Sequence, residues 1–295
     1  MTISIRHAPA TSKNPGLEEV PAKDGESNLD WLKRATAGAD AAGSVILLGG
    51  SDLAHFRIRC AQSRLRADML PSFWSLAGIV ANDRSFVSVP LDLGDVSAVP
   101  QTNAVRRCQL RDYADPKWFP NVAVVNFTDT PRPVTNNVAR VEMQRSVIDL
   151  PSHVLPWLAY VWGTGAGENP LVAGFGLPSA AFVETVFGLA GIELTPGLSS
   201  ASSCPEAIWS TASWWQDFYE ARAEAESRAD AAAPIPSAEE VRAAGEAKGA
   251  GKASRKKSPG KASAAADATA DPRRARARVP TGVYTVRQPA AYVEE

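Results

Sequence analysis

The stretch Phe73-Trp74-Ser75-Leu76-Ala77-Gly78-Ile79-Val80 is apolar at nearly every position and reads as a buried strand. A turn at Asn82-Asp83-Arg84 follows it, and Ser85 to Leu91 then reads as a second strand. Working outward, Ser44-Val45-Ile46-Leu47-Leu48-Gly49-Gly50 is a strand-like run closed by glycines, and Val122 to Phe127 is another. The segment from Ser51 to Met69 fits neither period and predicts an extended turn or strand leading into a short helix.

Helical patterns surround these runs. Asn28 to Ala39 predicts a short helix with Asn28 as its cap, and Glu142 to Leu150 predicts another. Thr128 to Asn137 reads as a Pro/Thr/Asn loop, and Pro156 as the start or bend of a helix reaching Trp162. Pro178 suits the first turn of a helix that exits at Gly191, and Cys204 to Tyr219 reads as a last aromatic-rich helix. The expected fold class is α+β. The expected organisation is a leader over residues 1–27 and one mixed domain over 28–222. A disordered Ala/Lys/Arg-rich linker over 223–282 and a docking peptide over 283–295 complete it.

The chain has 295 residues, enough for one ample core, and seven of its eight tryptophans fall between Trp74 and Trp215. Its net charge of −1 hides an asymmetry. Glu246 to Pro280 holds ten basic residues against three acidic ones, a surplus of +7 that leaves the remainder at −8. That balance argues against a folded nucleic-acid-binding domain. It allows weak, non-specific contact of the basic tail with nucleic acid or acidic surfaces. The closing residues Val283, Tyr284, Val286, Tyr292 and Val293 regain apolar character and suggest a peptide that docks on a protein partner. The three cysteines, Cys60, Cys108 and Cys204, include no C-x-x-C pair. A disulfide framework is therefore not expected, and a reducing, cytoplasmic setting is. Neither a secretory signal nor a membrane span is expected, since Leu150 to Trp162 is short and interrupted by prolines.

Catalysis by a thiol needs an accessible thiolate and an imidazole to take its proton. Cys204 precedes Pro205 and Glu206 at a helix start, where a thiolate is favoured, with His153 or His55 as the candidate base. His55 and Cys60 would point to opposite faces of a strand, unless a turn lies between them. Gly176-Leu177-Pro178-Ser179-Ala180 lacks the closing glycine of a nucleophile elbow. Asp92, Asp95 and Glu206 have no histidine cluster beside them, so neither a metal nor any other cofactor is expected. Trp214 with Phe218, and Trp215 with Tyr219, form two aromatic pairs at helical spacing. One is read as core, and the other as core or as a binding surface shared with Tyr284 and Tyr292.

The order of these pieces resembles the permuted branch of the NlpC/P60 papain-like superfamily, the YiiX-type proteins. There a strand of the form S-H-x-G-I-V carries the base, and a helix opening Y-C-S-E-L-V carries the nucleophile. Trp74-Ser75-Leu76-Ala77-Gly78-Ile79-Val80 is similar to the first motif, with Leu76 in the histidine position. Leu177-Pro178-Ser179-Ala180-Ala181-Phe182, continuing to Ala190-Gly191-Ile192-Glu193-Leu194-Thr195-Pro196, is similar to the second, with Pro178 in the cysteine position. A different registration puts the nucleophile at Cys204 in Ser203-Cys204-Pro205-Glu206-Ala207-Ile208-Trp209. The resemblance implies a permuted papain-like fold. It also implies either a degenerate site at Leu76, Pro178 and Ser179 serving as a non-catalytic binding or assembly module, or a cysteine hydrolase or acyltransferase acting on peptide, amide or lipid ester bonds. A structural component of a larger particle is the third expectation.

Overall fold

The computed structural model describes residues 13–37, 39–66, 68–91, 104–143, 150–163, 167–215 and 279–287. These form one mixed α+β unit around a seven-stranded sheet. The strands are β1 (Leu17–Glu19), β2 (Val45–Gly49), β3 (Leu76–Asn82), β4 (Ser85–Ser88), β5 (Arg106–Gln109), β6 (Asn121–Asn126) and β7 (Thr281–Val286). Their spatial order is β1-β7-β6-β2-β3-β4-β5. Every neighbouring pair is antiparallel except β1 with β7.

The central strands β2, β3, β4 and β6 are buried on both faces, which is why they read as largely apolar runs rather than alternating ones. On one face Ile46, Leu48, Leu76, Val80, Phe86, Val122 and Val124 form a cluster closed by Trp31. Trp31 belongs to α1 (Asn28–Ala35) and donates its indole N–H to Val20 O at 2.8 Å. Ser27 caps α1, accepting from the Asp30 N–H. Asn28, expected as the cap, instead donates its side-chain amide to Tyr113 O and Phe119 O.

The other face carries the remaining helices. α5 (Pro178–Leu189) is buried from Pro178 to Phe187 and packs on β3. With Pro at its first turn, the helix begins without wasting a donor. The helix over 205–215, α6, sets Trp209 against Trp74, with ring centroids 5.1 Å apart. α2 (Leu53–Ala61) and α4 (Leu150–Val161) pack on each other, and α4 continues past Pro156, which lies inside it.

Several expectations need correction, among them the leader over residues 1–27, whose Leu17–Glu19 is β1 of the sheet. The Pro/Thr/Asn loop is the beginning of α3 (Pro131–Met143). Pro131 and Pro133 both fall in its first turn, where proline is tolerated, and Val134, Val138 and Val141 supply the buried stripe. β5 was not anticipated, because Arg-Arg-Cys-Gln lacks the apolar signal of a strand. Residues 283–286, read as a docking peptide, are β7 of the chain's own sheet, lying between β1 and β6. The expected linker over 223–282 falls outside the described residues up to 278. Among the described residues, no helix is long and apolar enough to cross a membrane.

Candidate functional site

The chemistry-bearing side chains gather where β2 ends and α2 begins. Asp52 caps α2 by accepting the backbone N–H of His55 at 2.8 Å, which fixes His55 in the first turn. His55 Nδ1 lies 2.8 Å from Ser75 Oγ, and its Nε2 lies 3.9 Å from Asp52 Oδ2. Ser75 Oγ also accepts the Gly50 N–H at 2.9 Å and lies 3.2 Å from Leu48 O. Ser75, His55 and Asp52 thus stand in a row, with a hydrogen bond joining Ser75 to the His55 ring, while the 3.9 Å from that ring to Asp52 Oδ2 is beyond hydrogen-bond reach. The hydroxyl, however, sits inside the protein with Ser75 only 1% exposed, behind the imidazole rather than in front of it. Ser75 therefore orients His55, and the imidazole edge is what solvent meets.

That edge forms part of a cleft of about 690 Å³. Its lining is mixed, with polar groups from Asp52, His55, Arg106, Arg107, Asp112 and Tyr113, while Leu53, Val161 and the half-exposed Trp162 contribute apolar surface. Phe119 stands edge-on to the imidazole at 5.1 Å, and Arg107 pairs with Glu142 at 2.7 Å. Sequence reasoning did not find this grouping. One signal was present in the Gly49-Gly50 pair, because a Cβ on Gly50 would stand 2.4 Å from His55 Cγ. A second hollow, of about 270 Å³, lies beside α1 over the apolar cluster.

The expected thiol centre is not assembled. Cys204 is fully buried, and burial pushes its thiol up to about 12 from its ordinary 9.0. Neighbouring carboxylates add to that shift, while the backbone N–H groups of Ala207 and Glu206 oppose it. His55 is engaged with Ser75, and His153 places Nε2 3.2 Å from Ala201 O. The thiolate expected from the helix start is overridden by burial of the sulfur.

The proposed degenerate pair is also separated. The start of α5 does meet the start of β3, where Ser179 Oγ accepts the Ala77 N–H at 3.3 Å. Side chains alternate along a strand, so Ala77 faces α5 while Leu76 joins the Trp31 cluster on the opposite face. Leu76, Pro178 and Ser179 do not form one site. Trp215 and Tyr284, expected at a binding surface, are core residues at 4% and 2% exposure. Trp215 packs on Phe127 and Tyr284 on Trp209. Tyr219 and Tyr292 lie outside the described residues.

Glu206, noted earlier as an isolated carboxylate, is fully buried with its partners around it. Ser72 Oγ donates to Oε2 at 2.6 Å, the Glu206 N–H donates to Gln62 Oε1, and Arg66 Nη1 stands 3.6 Å from Oε1. Arg59, also buried, donates to Ser72 O and Gly50 O. These groups tie the end of α2 and the approach to β3 onto α6. Glu184 is a second buried carboxylate, accepting hydroxyls from Thr195 and Ser203 at 2.6 and 3.0 Å. Burial pushes both carboxyls up to about 7. Among the described residues, no group of three or more His, Cys, Asp or Glu is placed to hold a metal ion.

Compared with family models, curated proteins and solved structures, the chain finds no match.

Proposed function

We propose that the chain is a non-catalytic binding module, without a working thiol–imidazole pair, that takes its ligand in the cleft over His55. The observation that carries this reading is the state of Cys204, fully buried, with its thiol pushed up to about 12. A hydrolase using that sulfur needs a thiolate that a substrate can reach.

The cleft has the volume of a small-ligand site and an oriented imidazole in its wall. Its charged groups are mixed, with Arg106 and Arg107 beside Asp52 and Asp112, and Leu53, Val161 and Trp162 supply apolar surface. Mixed charge beside an exposed indole suits a zwitterion with an apolar side chain, such as a short peptide end, better than a polyanion.

Ligand-observed NMR with a phenylalanyl dipeptide tests this directly. Binding that weakens at least tenfold in Trp162→Ala and in Arg106→Ala, with the dipeptide recovered intact, is the expected result. Cleavage of the dipeptide, or binding indifferent to both substitutions, would overturn the proposal.

A further inference from the structure

We infer that β7 is an exchangeable strand, and that the groove between β1 and β6 accepts the same strand from a second copy of this chain. The inference begins with where β7 lies. It is an interior strand, parallel to β1 on one side and antiparallel to β6 on the other. With β7 withdrawn, β6 (Asn121–Asn126) becomes an open edge with an apolar run, and β1 loses the strand it pairs with. Unpaired edges of this kind are templates for another strand.

The groove recognises more than a backbone. Gly282 is required where β7 lies against β6, because a Cβ there would stand 2.2 Å from Val124 O. Its N–H bonds Gly16 O at 2.8 Å. Two residues on, the Tyr284 ring enters against Trp209, and Val20 N–H bonds Tyr284 O at 2.9 Å. Arg287 then reaches Asn28 Oδ1 and Glu26 O. The groove therefore reads Gly-x-Tyr-x-x-Arg in a fixed register, and a second copy of the chain supplies that sequence.

Contacts made by β7 are the same whether the strand comes from its own chain or another. Only the connection differs. Residues 216–278 join α6 to β7, and at up to about 3.3 Å per residue a connection of that length is long enough to reach a neighbouring copy. Exchange between copies therefore gains on self-closure as protein concentration rises, producing reciprocally exchanged dimers.

Two forms of the full chain, distinguishable by mass and both carrying Cys60→Ser, provide the test. One carries Asn126→Cys in the groove and the other Thr281→Cys on the strand, positions that face each other across β6 and β7. When the strand of one form lies in the groove of the other the two introduced thiols meet, and competition by the free strand separates that disulfide from one formed by collision of exposed thiols. The expected result is a mixed disulfide whose yield rises with concentration and falls when a synthetic peptide of residues 279–287 is added. A single chain carrying both cysteines, which closes on itself, verifies the geometry. If that chain closes while the mixture yields no mixed disulfide at any concentration, the inference is overturned. A mixed disulfide insensitive to the peptide overturns it equally.

Discussion

Tyr284 lies edge-on to Trp209, with ring centroids 4.9 Å apart, and so fastens the last described strand to the last described helix before it. The tyrosine is 2% exposed and the tryptophan fully buried. Tyr284→Ala removes the ring from a packed interior, and the expected cost is about 3–4 kcal/mol of unfolding free energy. Denaturant titration measures it, and a loss below about 1 kcal/mol would mean that β7 contributes little to the fold.

The two ends of the connection before β7 come back to one place. A single side-chain amide, that of Asn14, donates to Ala212 O at 3.0 Å and to Pro280 O at 2.9 Å. Replacing residues 217–277 with a short Gly/Ser linker should therefore leave the described fold intact. Thermal unfolding checks this, with a midpoint within about 4 °C of the full chain expected, equivalent to roughly 1 kcal/mol or less. A shorter connection also raises the strand's local concentration, so exchange between copies should decline.

Much of the sheet was legible because a strand buried on both faces is apolar throughout. β2, β3 and β6 stand within a few residues of where Ser44–Gly50, Phe73–Val80 and Val122–Phe127 placed them. β7 was not legible as a sheet strand, since its neighbours β1 and β6 lie far away in sequence and only pairing reveals its place. The site was harder to read. Cys204 at a helix start carries the local signature of a stabilised thiolate, yet burial decides its state, and burial is a property of the whole fold. Leu76 and Ser179 illustrate the same point, because strand and helix do meet but the pleat turns Leu76 away.

Ser75→Ala tests how the cleft histidine is held. The substitution removes the acceptor of the Gly50 N–H and the partner of His55 Nδ1. A stability loss of about 1–2 kcal/mol is expected from the orphaned buried N–H. Nitrogen-15 NMR of the imidazole should also change from one tautomer to a mixture. An unchanged tautomer would show that Ser75 does not orient the ring.

Buried carboxyls set a pH dependence with a definite sign. Glu184 and Glu206 have folded values raised to about 7 from an ordinary 4.5. The folded state thus binds protons that the unfolded chain has released. Their contribution to stability is complete below 4.5 and is lost as pH rises through about 7. Each group adds a slope of up to about 1.4 kcal/mol per pH unit across that window. Glu206→Gln keeps the shape and removes one titration, so the wild-type decline between pH 5 and 7 should become shallower in the variant. Chemical denaturation across that range reads the slope, and parallel profiles would contradict the assignment. Within the wild-type shift of Glu206 the Arg66 charge opposes the effect of burial and the Asp68 charge adds to it, and both side chains remain in the variant.

The reactivity of Cys204 tests the central claim most directly. Raising a thiol from 9.0 to about 12 cuts its thiolate fraction about a thousandfold near neutral pH, before lack of access is considered. Labelling with iodoacetamide at pH 7, followed residue by residue by mass spectrometry, should find Cys204 protected in the folded chain and reactive only in denaturant. Labelling of folded Cys204 faster than the same thiol in the unfolded chain would contradict the binding-module account and restore the hydrolase.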